Sequence, residues 1–250
     1  YLRDGLKQQG HATLGKVLSV AFAVTTIFGM TGAGNMFQAN QATSQIVSVS
    51  GGVLEPYRWA IGIAIAGLVA LVILGGITKI GNYTSRIVPI MAAVYVLTCL
   101  VVIGVNIEQL PAAVTAIVDG AFTGKGAAGG VFGAMIIGFR RAAFSNAAGV
   151  GTAGIAHSAV KTRRPASQGF VAMWEPFVDS VLVCSITALT VVITGVWQNP
   201  EPGVEGVALT SGAWETVAPW LSYVLAIAVA LFAFSTMLSY SFYGLSLIHI

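Results

Sequence analysis

The sequence is poor in charge: Asp, Glu, Lys and Arg make up 8% of its 250 residues, against roughly a quarter in an ordinary soluble domain. With 56% hydrophobic residues, a water-soluble fold would expose large apolar patches, whereas lipid accepts such a surface directly. The shortage therefore excludes a soluble globular domain and indicates a membrane protein. The small excess of base, net +3, forms no cluster interleaved with aromatics, so a nucleic-acid partner is excluded. Cysteine is equally sparse. Cys99 and Cys184 each lie inside an apolar run, which excludes a disulfide framework and leaves them as small buried hydrophobes. A cleavable signal peptide is missing too, because Tyr1 to Gly10 is polar, carries Arg3, Asp4 and Lys7, and starts without Met. The chain is expected to be truncated at its start.

What is abundant is apolar sequence in lengths of about 20 residues, enough to cross a bilayer. Six such stretches are present: Leu14 to Phe37, Trp59 to Ile80, Ile87 to Ile107, Val131 to Val160, Phe170 to Trp197 and Val217 to Leu245. Pro111 to Phe122 is amphipathic and too short to cross, which suits an interfacial or re-entrant helix. Pro56, Pro89, Pro111, Pro176 and Pro219 are expected near helix starts, where a missing N–H costs little, and Pro165, Pro200 and Pro202 in loops. Any break within the Gly-rich tracts Gly29 to Gly34 and Gly149 to Gly154 must then come from glycine. With six alternating crossings, one side collects eight bases (Arg3, Lys7, Lys16, Lys79, Arg86, Lys161, Arg163 and Arg164) and the other only Arg58 and Lys125. The basic side is cytoplasmic by the positive-inside rule, which puts both ends of the chain inside and Glu201, Glu205 and Glu215 outside.

The stretch Val131 to Val160 carries the most chemistry, with Arg140, Arg141, Ser145, Asn146, Thr152, His157 and Ser158 in or beside apolar sequence. Polar groups are costly in hydrocarbon and are kept where they face a protein interior or a water-filled cavity. Its centre, Asn146 to Gly154, alternates glycines, each weakening a helix by roughly 1 kcal/mol, and local unwinding is expected there. Unwinding frees backbone groups near the midplane that only a ligand, ion or neighbouring protein group can satisfy. Two half-helices meeting at a break aim a positive end at a carboxylate and a negative end at a cation, which suits an amino-acid zwitterion with a small cation. The competing reading is that the glycines only permit close helix packing. Gly149 to Gly154 also satisfies G-x-G-x-x-G, with Glu175 near the ribose-acid spacing. No strand precedes it and another span-length segment follows, so a dinucleotide fold is excluded.

Three smaller groups stay open on the residues alone. Asn35 and Gln38, three apart and so on one helical face, either line a polar path or bond to neighbouring helices. Glu175 and Asp179 read as structural partners, Glu175 of the basic loop Lys161 to Arg164, more than as an acid/base pair. Ser235 and Thr236, flanked by Phe234 and Met237, either offer hydroxyls to a hard cation or bond back to their own helix.

Several blocks together resemble the alanine or glycine:cation symporter family. They are Gly34-Asn35-Met36-Phe37-Gln38-Ala39-Asn40; Ile73-Leu74-Gly75-Gly76-Ile77; Phe144-Ser145-Asn146 with Ala148-Gly149-Val150-Gly151; Ile155-Ala156-His157-Ser158-Ala159; and Ser235-Thr236 leading to Ser239-Tyr240-Ser241-Phe242-Tyr243-Gly244. They occur in family order over nearly the whole chain. The resemblance implies an all-α polytopic membrane protein, part of an inverted-repeat, leucine-transporter-like fold with broken first and sixth core helices. The six spans would be core helices three to eight of one transmembrane domain over residues 1–250, with Val131 to Val160 as broken helix six. Core helices one, two, nine and ten are then absent. Two departures stand out: Ala147 replaces the acid of the family's Ser-Asn-Glu-Ala-Gly pattern, and Leu245 to Ile250 lacks the family's polar helix end and reads as a non-native tail.

The function implied is sodium-coupled uptake of small neutral amino acids across the cytoplasmic membrane, without covalent chemistry or a cofactor. The resemblance sets the substrate's polar ends at the helix breaks and one sodium between helix one and the hydroxyls of helix eight. Ser145, Asn146, Gly149, Gly151 and Thr152, with Asn35 and Gln38, are the candidate substrate residues, and Ser235 and Thr236 the candidate sodium ligands. The rivals are a channel and an intramembrane hydrolase. The hydrolase would need a nucleophile with a base, or two facing acids, and no Ser or Asp paired with His157 is evident.

Overall fold

The computed structural model describes residues 2–122, 130–145, 151–158, 160–198 and 206–248. Every regular element among them is helical. Five stretches are long and apolar enough to cross a membrane: Ala12–Val49, Glu55–Ile73, Lys79–Val105, Pro165–Ile193 and Leu221–Leu247. Their large apolar side chains are widely exposed, among them Phe28, Leu71, Leu97, Phe170 and Ile227. That is the surface hydrocarbon requires and water forbids.

A short helix α1 (Leu2–Gln8) packs back on α2 (Ala12–Gly29), so closely that a Cβ on Gly15 would stand 3.0 Å from the carbonyl oxygens of Leu2 and Arg3. The first span does not end at Phe37 as expected. It continues through a π-helical segment, Met30–Met36, into α3 (Phe37–Val49). Its 38 residues reach about 57 Å at a rise of about 1.5 Å per residue, nearly twice a hydrocarbon core of about 30 Å. The π register has a local cause. The Ile27 carbonyl accepts both the Met30 N–H and the Thr31 hydroxyl (2.9 Å), in a tract where Gly32 and Gly34 lower the resistance to unwinding.

After the 3₁₀ turn Glu55–Tyr57, α4 (Arg58–Ile73) begins with Arg58 bonded to Glu55 at 2.8 Å and to the Ser44 hydroxyl at 2.9 Å, which fastens α4 to α3. The second span stops at Ile73, short of the expected Ile80. Gly76 takes φ +74°, open to glycine and strained for other residues, so the chain turns there despite the apolar Ile77 and Ile80 beyond. Helix α5 (Gly76–Val105) follows, with Pro89 inside it instead of at its start. Helix α6 (Leu110–Phe122) is short, as its length predicted.

Helices α7 (Gly130–Ser145) and α8 (Ala153–Ser158) fall within the expected fourth span, which also runs over 146–150 and 159, outside the described residues. Helix α9 (Pro165–Pro176) starts on Pro165, expected in a loop, and ends on Pro176, expected at a helix start. Pro176 has no N–H to give to the preceding turn. The register slips into a second π segment, Phe177–Cys184, before α10 (Ser185–Ile193). Helices α11 (Val207–Glu215) and α12 (Leu221–Ile248) complete the chain.

The residues form two compact units. The first comprises 1–47, 53–88 and 230–250, and its core joins Ala42 of α3, Val69 and Val72 of α4, Ile80 of α5, and Ala233, Met237 and Leu238 of α12. The second comprises 48–52 and 89–229. There Cys99 and Val102 of α5 pack with Ala213 and Trp214 of α11 and with Leu221 and Leu225, while Ile103, Ala113 and Ile193 join α5, α6 and α10. Inside this second core the Tyr95 ring lies 5.4 Å from Trp214, and its hydroxyl meets the Thr187 hydroxyl at 2.8 Å.

Candidate functional site

In the second unit the Gly-rich tract is not one continuous helix. Gly151 is a bend at φ +86°, Thr152 is a turn residue, and α8 begins at Ala153 with the Ile155 N–H bonded to the Thr152 carbonyl at 2.9 Å. Glycine is used here for its left-handed backbone, which an L side chain reaches only with strain. Thr152 is buried, 4% exposed, beside this interruption. The structure thus places two of the candidate substrate residues, Gly151 and Thr152, at a helix start. Ser145 ends α7, and Asn146 and Gly149 lie outside the described residues.

In the first unit Asn35 sits within the π segment and Gln38 in the first turn of α3, both half-buried. The side-chain carbonyl oxygen of Asn35 is buried without a hydrogen-bond partner, a costly state for an amide in a tightly packed interior. Immediately before it, a Cβ on Gly34 would overlap the Tyr240 ring of α12. Further along, Ala39 and Ala42 join the core cluster of Ala233, Phe234 and Met237. Thr236 lies one turn before Tyr240 along α12, and Gln38 one turn beyond Gly34. Ser235 is buried, and its hydroxyl donates to the Phe232 carbonyl over a long 3.4 Å. Thr236 is half-buried. The back-bonded alternative is therefore realised, weakly, at Ser235.

Sequence reading missed the partners of His157. Its Nδ1 lies 2.7 Å from Gln168 Nε2 and its Nε2 3.4 Å from Glu175 Oε2, so α8 is tied to α9 through three side chains. Among the described residues Glu175 meets His157 and not the basic loop expected for it. Separations of 11 and 18 residues carry no periodic signal, and only the turn between α8 and α9 creates the contact. Tyr240, within the Ser239 to Gly244 block, packs on Gly34.

Apolar spans, interrupted or distorted at polar and Gly-rich tracts, define a polytopic α-helical membrane protein. A sequence profile of the sodium:alanine symporter family matches residues 1–250, and the chain belongs to that family. It is 38% identical over 246 residues to the sodium/alanine symporter AgcS of Methanococcus maripaludis, covering 98% of this chain and 53% of that protein. The probable sodium/glutamine symporter GlnT of Bacillus subtilis is 31% identical over 246 residues (98% of this chain, 49% of GlnT). The putative sodium/proton-dependent alanine carrier protein YrbD of the same organism is 32% identical over 238 residues (90% and 48%). The chain spans about half the length of these curated relatives. A family of symporters leaves the intramembrane hydrolase without support.

Proposed function

We propose that these residues form part of a sodium-coupled symporter for small neutral amino acids, alanine- or glycine-like, in the cytoplasmic membrane. Beyond family membership, the observation that carries this reading is the buried Thr152 at the left-handed Gly151, inside a tract flanked by apolar sequence. A polar side chain is kept in such a place for a ligand or a pathway. In this reading Ser145, Asn146, Gly149, Gly151 and Thr152 are substrate residues of the second unit and Asn35 and Gln38 of the first, while Ser235 and Thr236 contribute hydroxyl oxygens to sodium. The spans serve as core helices three to eight of an inverted-repeat, leucine-transporter-like carrier, with Lys79 and Lys161 in the cytoplasm and Glu201 outside.

Reconstituted into liposomes, a full-length carrier containing these residues should accumulate alanine against its gradient only when sodium is higher outside. Alanine flux that never exceeds equilibration would replace the carrier with a channel. Sodium-independent accumulation would remove Ser235 and Thr236 from the mechanism. Cysteines placed at positions 79, 161 and 201 in intact cells should react with an impermeant reagent only at 201, and reaction at 79 would invert the orientation.

A further inference from the structure

We propose that the π segment Met30–Met36 builds a site for a monovalent metal ion, with the side-chain oxygen of Asn35 and a backbone carbonyl of the segment as ligands. Counting donors against acceptors along the segment supplies both. At its start the Met30 N–H goes to the carbonyls of Ile27 and Thr26. At its end the Phe37 N–H goes to Gly32, five residues back, whereas α3 beyond it runs on bonds to the fourth residue back. A return from the wider spacing to the narrower one passes over one carbonyl just beyond Gly32, and that oxygen has no helical donor. Asn35 adds a second, because its side-chain oxygen is buried without a hydrogen-bond partner. The one hydroxyl of the segment, on Thr31, spends its proton on the Ile27 carbonyl at 2.9 Å. Two oxygens less than a turn apart thus lack donors.

The chemistry of these oxygens selects the ligand. A buried acceptor without a donor is costly where the dielectric is low. A cation satisfies several such acceptors at once, as it does with carbonyls freed at the distorted helices of membrane carriers. Residues 12–49 hold no Asp or Glu, so the segment lacks the carboxylates with which proteins offset the dehydration of a divalent ion. Neutral oxygens suit a singly charged ion, held loosely enough to leave again. The Tyr240 ring, standing where Gly34 would carry a side chain, closes that side of the segment, and a closed, dry surrounding strengthens the attraction between an ion and its oxygens. The site goes beyond the substrate role of Asn35 and does not draw on the hydroxyls of Ser235 and Thr236.

Thermal unfolding of the full-length protein in detergent, without any amino acid, tests the site with sodium chloride against choline chloride at constant ionic strength. Sodium should raise the parent's unfolding temperature, as any ligand of the folded state does. Asn35→Leu, close in shape and without the oxygen, should raise the half-maximal sodium concentration about tenfold, the scale of one buried group facing a charge. Asn35→Asp places a carboxylate at the same point. It should lower that concentration and bring a stabilisation by calcium that the parent lacks, a gain that a merely structural Asn35 cannot give, and it decides the matter if the Leu variant does not fold. A folded Leu variant with the parent's sodium response, or an Asp variant indifferent to calcium, overturns the proposal. If that Leu variant instead needs more alanine at saturating sodium, the oxygen serves the substrate's ammonium and no ion sits there. None of these measurements involves transport, so failure of the full-length protein to accumulate alanine would refute the symporter reading and leave the ion site to be decided by sodium and calcium alone.

Discussion

Two Gly-rich tracts look alike in the sequence and behave differently in the structure. Met30–Met36 stays helical, with its hydrogen bonds slipped into the π register, and its Gly34 is filled by the Tyr240 ring. Gly151–Thr152 breaks the helical path, and its glycine supplies a left-handed φ of +86°. The first tract uses glycine for the room left by a missing side chain, and the second for the backbone freedom that comes with it. The π segment holds one orphaned amide, Asn35, whereas the left-handed break sets the buried Thr152 at a helix start.

The largest effect that sharpens this contrast is expected at Gly34. A methyl there collides with Cβ, Cγ and Cδ1 of Tyr240, so Gly34→Ala should destabilise the protein by about 2 kcal/mol, as overpacking does. Thermal unfolding in detergent measures it. Tyr240→Ala in the same chain should return part of the loss, a non-additivity that marks direct contact. If the double variant is merely the sum of the two, Gly34 is not a glycine kept for space.

Next in size is Thr152→Val, which preserves the shape and removes the hydroxyl. Apparent alanine affinity should fall about tenfold, the usual consequence of leaving a buried polar ligand group unpaired. Sodium-dependent binding of labelled alanine reports it. Unchanged affinity would make Thr152 a structural residue of the joint. Gly151→Ala should cost about 1 kcal/mol of stability through its positive φ. Gly151→Asn should cost less, because Asn tolerates that backbone region better than other non-glycine residues. No trimming of a neighbouring side chain should rescue Gly151→Ala. A rescue of that kind would place both tracts in the same class.

Much of the fold was legible because lipid imposes a coarse grammar: apolar runs of sufficient length become spans, and those starting at Trp59, Phe170 and Val217 did so. What escaped the sequence was decided by local backbone competition or by contacts distant along the chain. The run Trp59 to Ile80 is uniformly apolar, yet a single positive φ at Gly76 ends α4 at Ile73, because backbone geometry outranks hydropathy over one turn. Pro89 and Pro176 were read as starts, whereas long membrane helices absorb proline by tolerating it or by slipping register. For the site, alternating glycines pointed to Gly151 because their cost to a helix is intrinsic to the residue type. The His157 to Glu175 contact gave no such warning, since it depends on how the chain turns between α8 and α9.

The smallest expected effect concerns the ion. Ser235 bonds to the Phe232 carbonyl at 3.4 Å, long for a hydroxyl donor, whose usual distance is about 2.7–2.8 Å. A bond so weak costs little to keep beside an ion, since the hydroxyl can still turn a lone pair toward the cation while its proton stays near the carbonyl. Thr236, next to it, is half-buried. Hydroxyls bind sodium without adding a buried negative charge that would hold it too firmly for release. Ser235→Ala and Thr236→Ala should therefore each weaken apparent sodium affinity by only about threefold to fivefold, within the 0.5–1.5 kcal/mol or so that one neutral ligand group contributes. By linkage, alanine affinity should fall at limiting sodium and recover at saturating sodium. Thr236→Val, equal in shape to threonine, should behave like Thr236→Ala and so separate ligation from packing. If both alanine variants keep the parent's sodium dependence, the hydroxyls serve only their own helix, and the π segment with its orphaned Asn35 oxygen becomes the place to look for the ion.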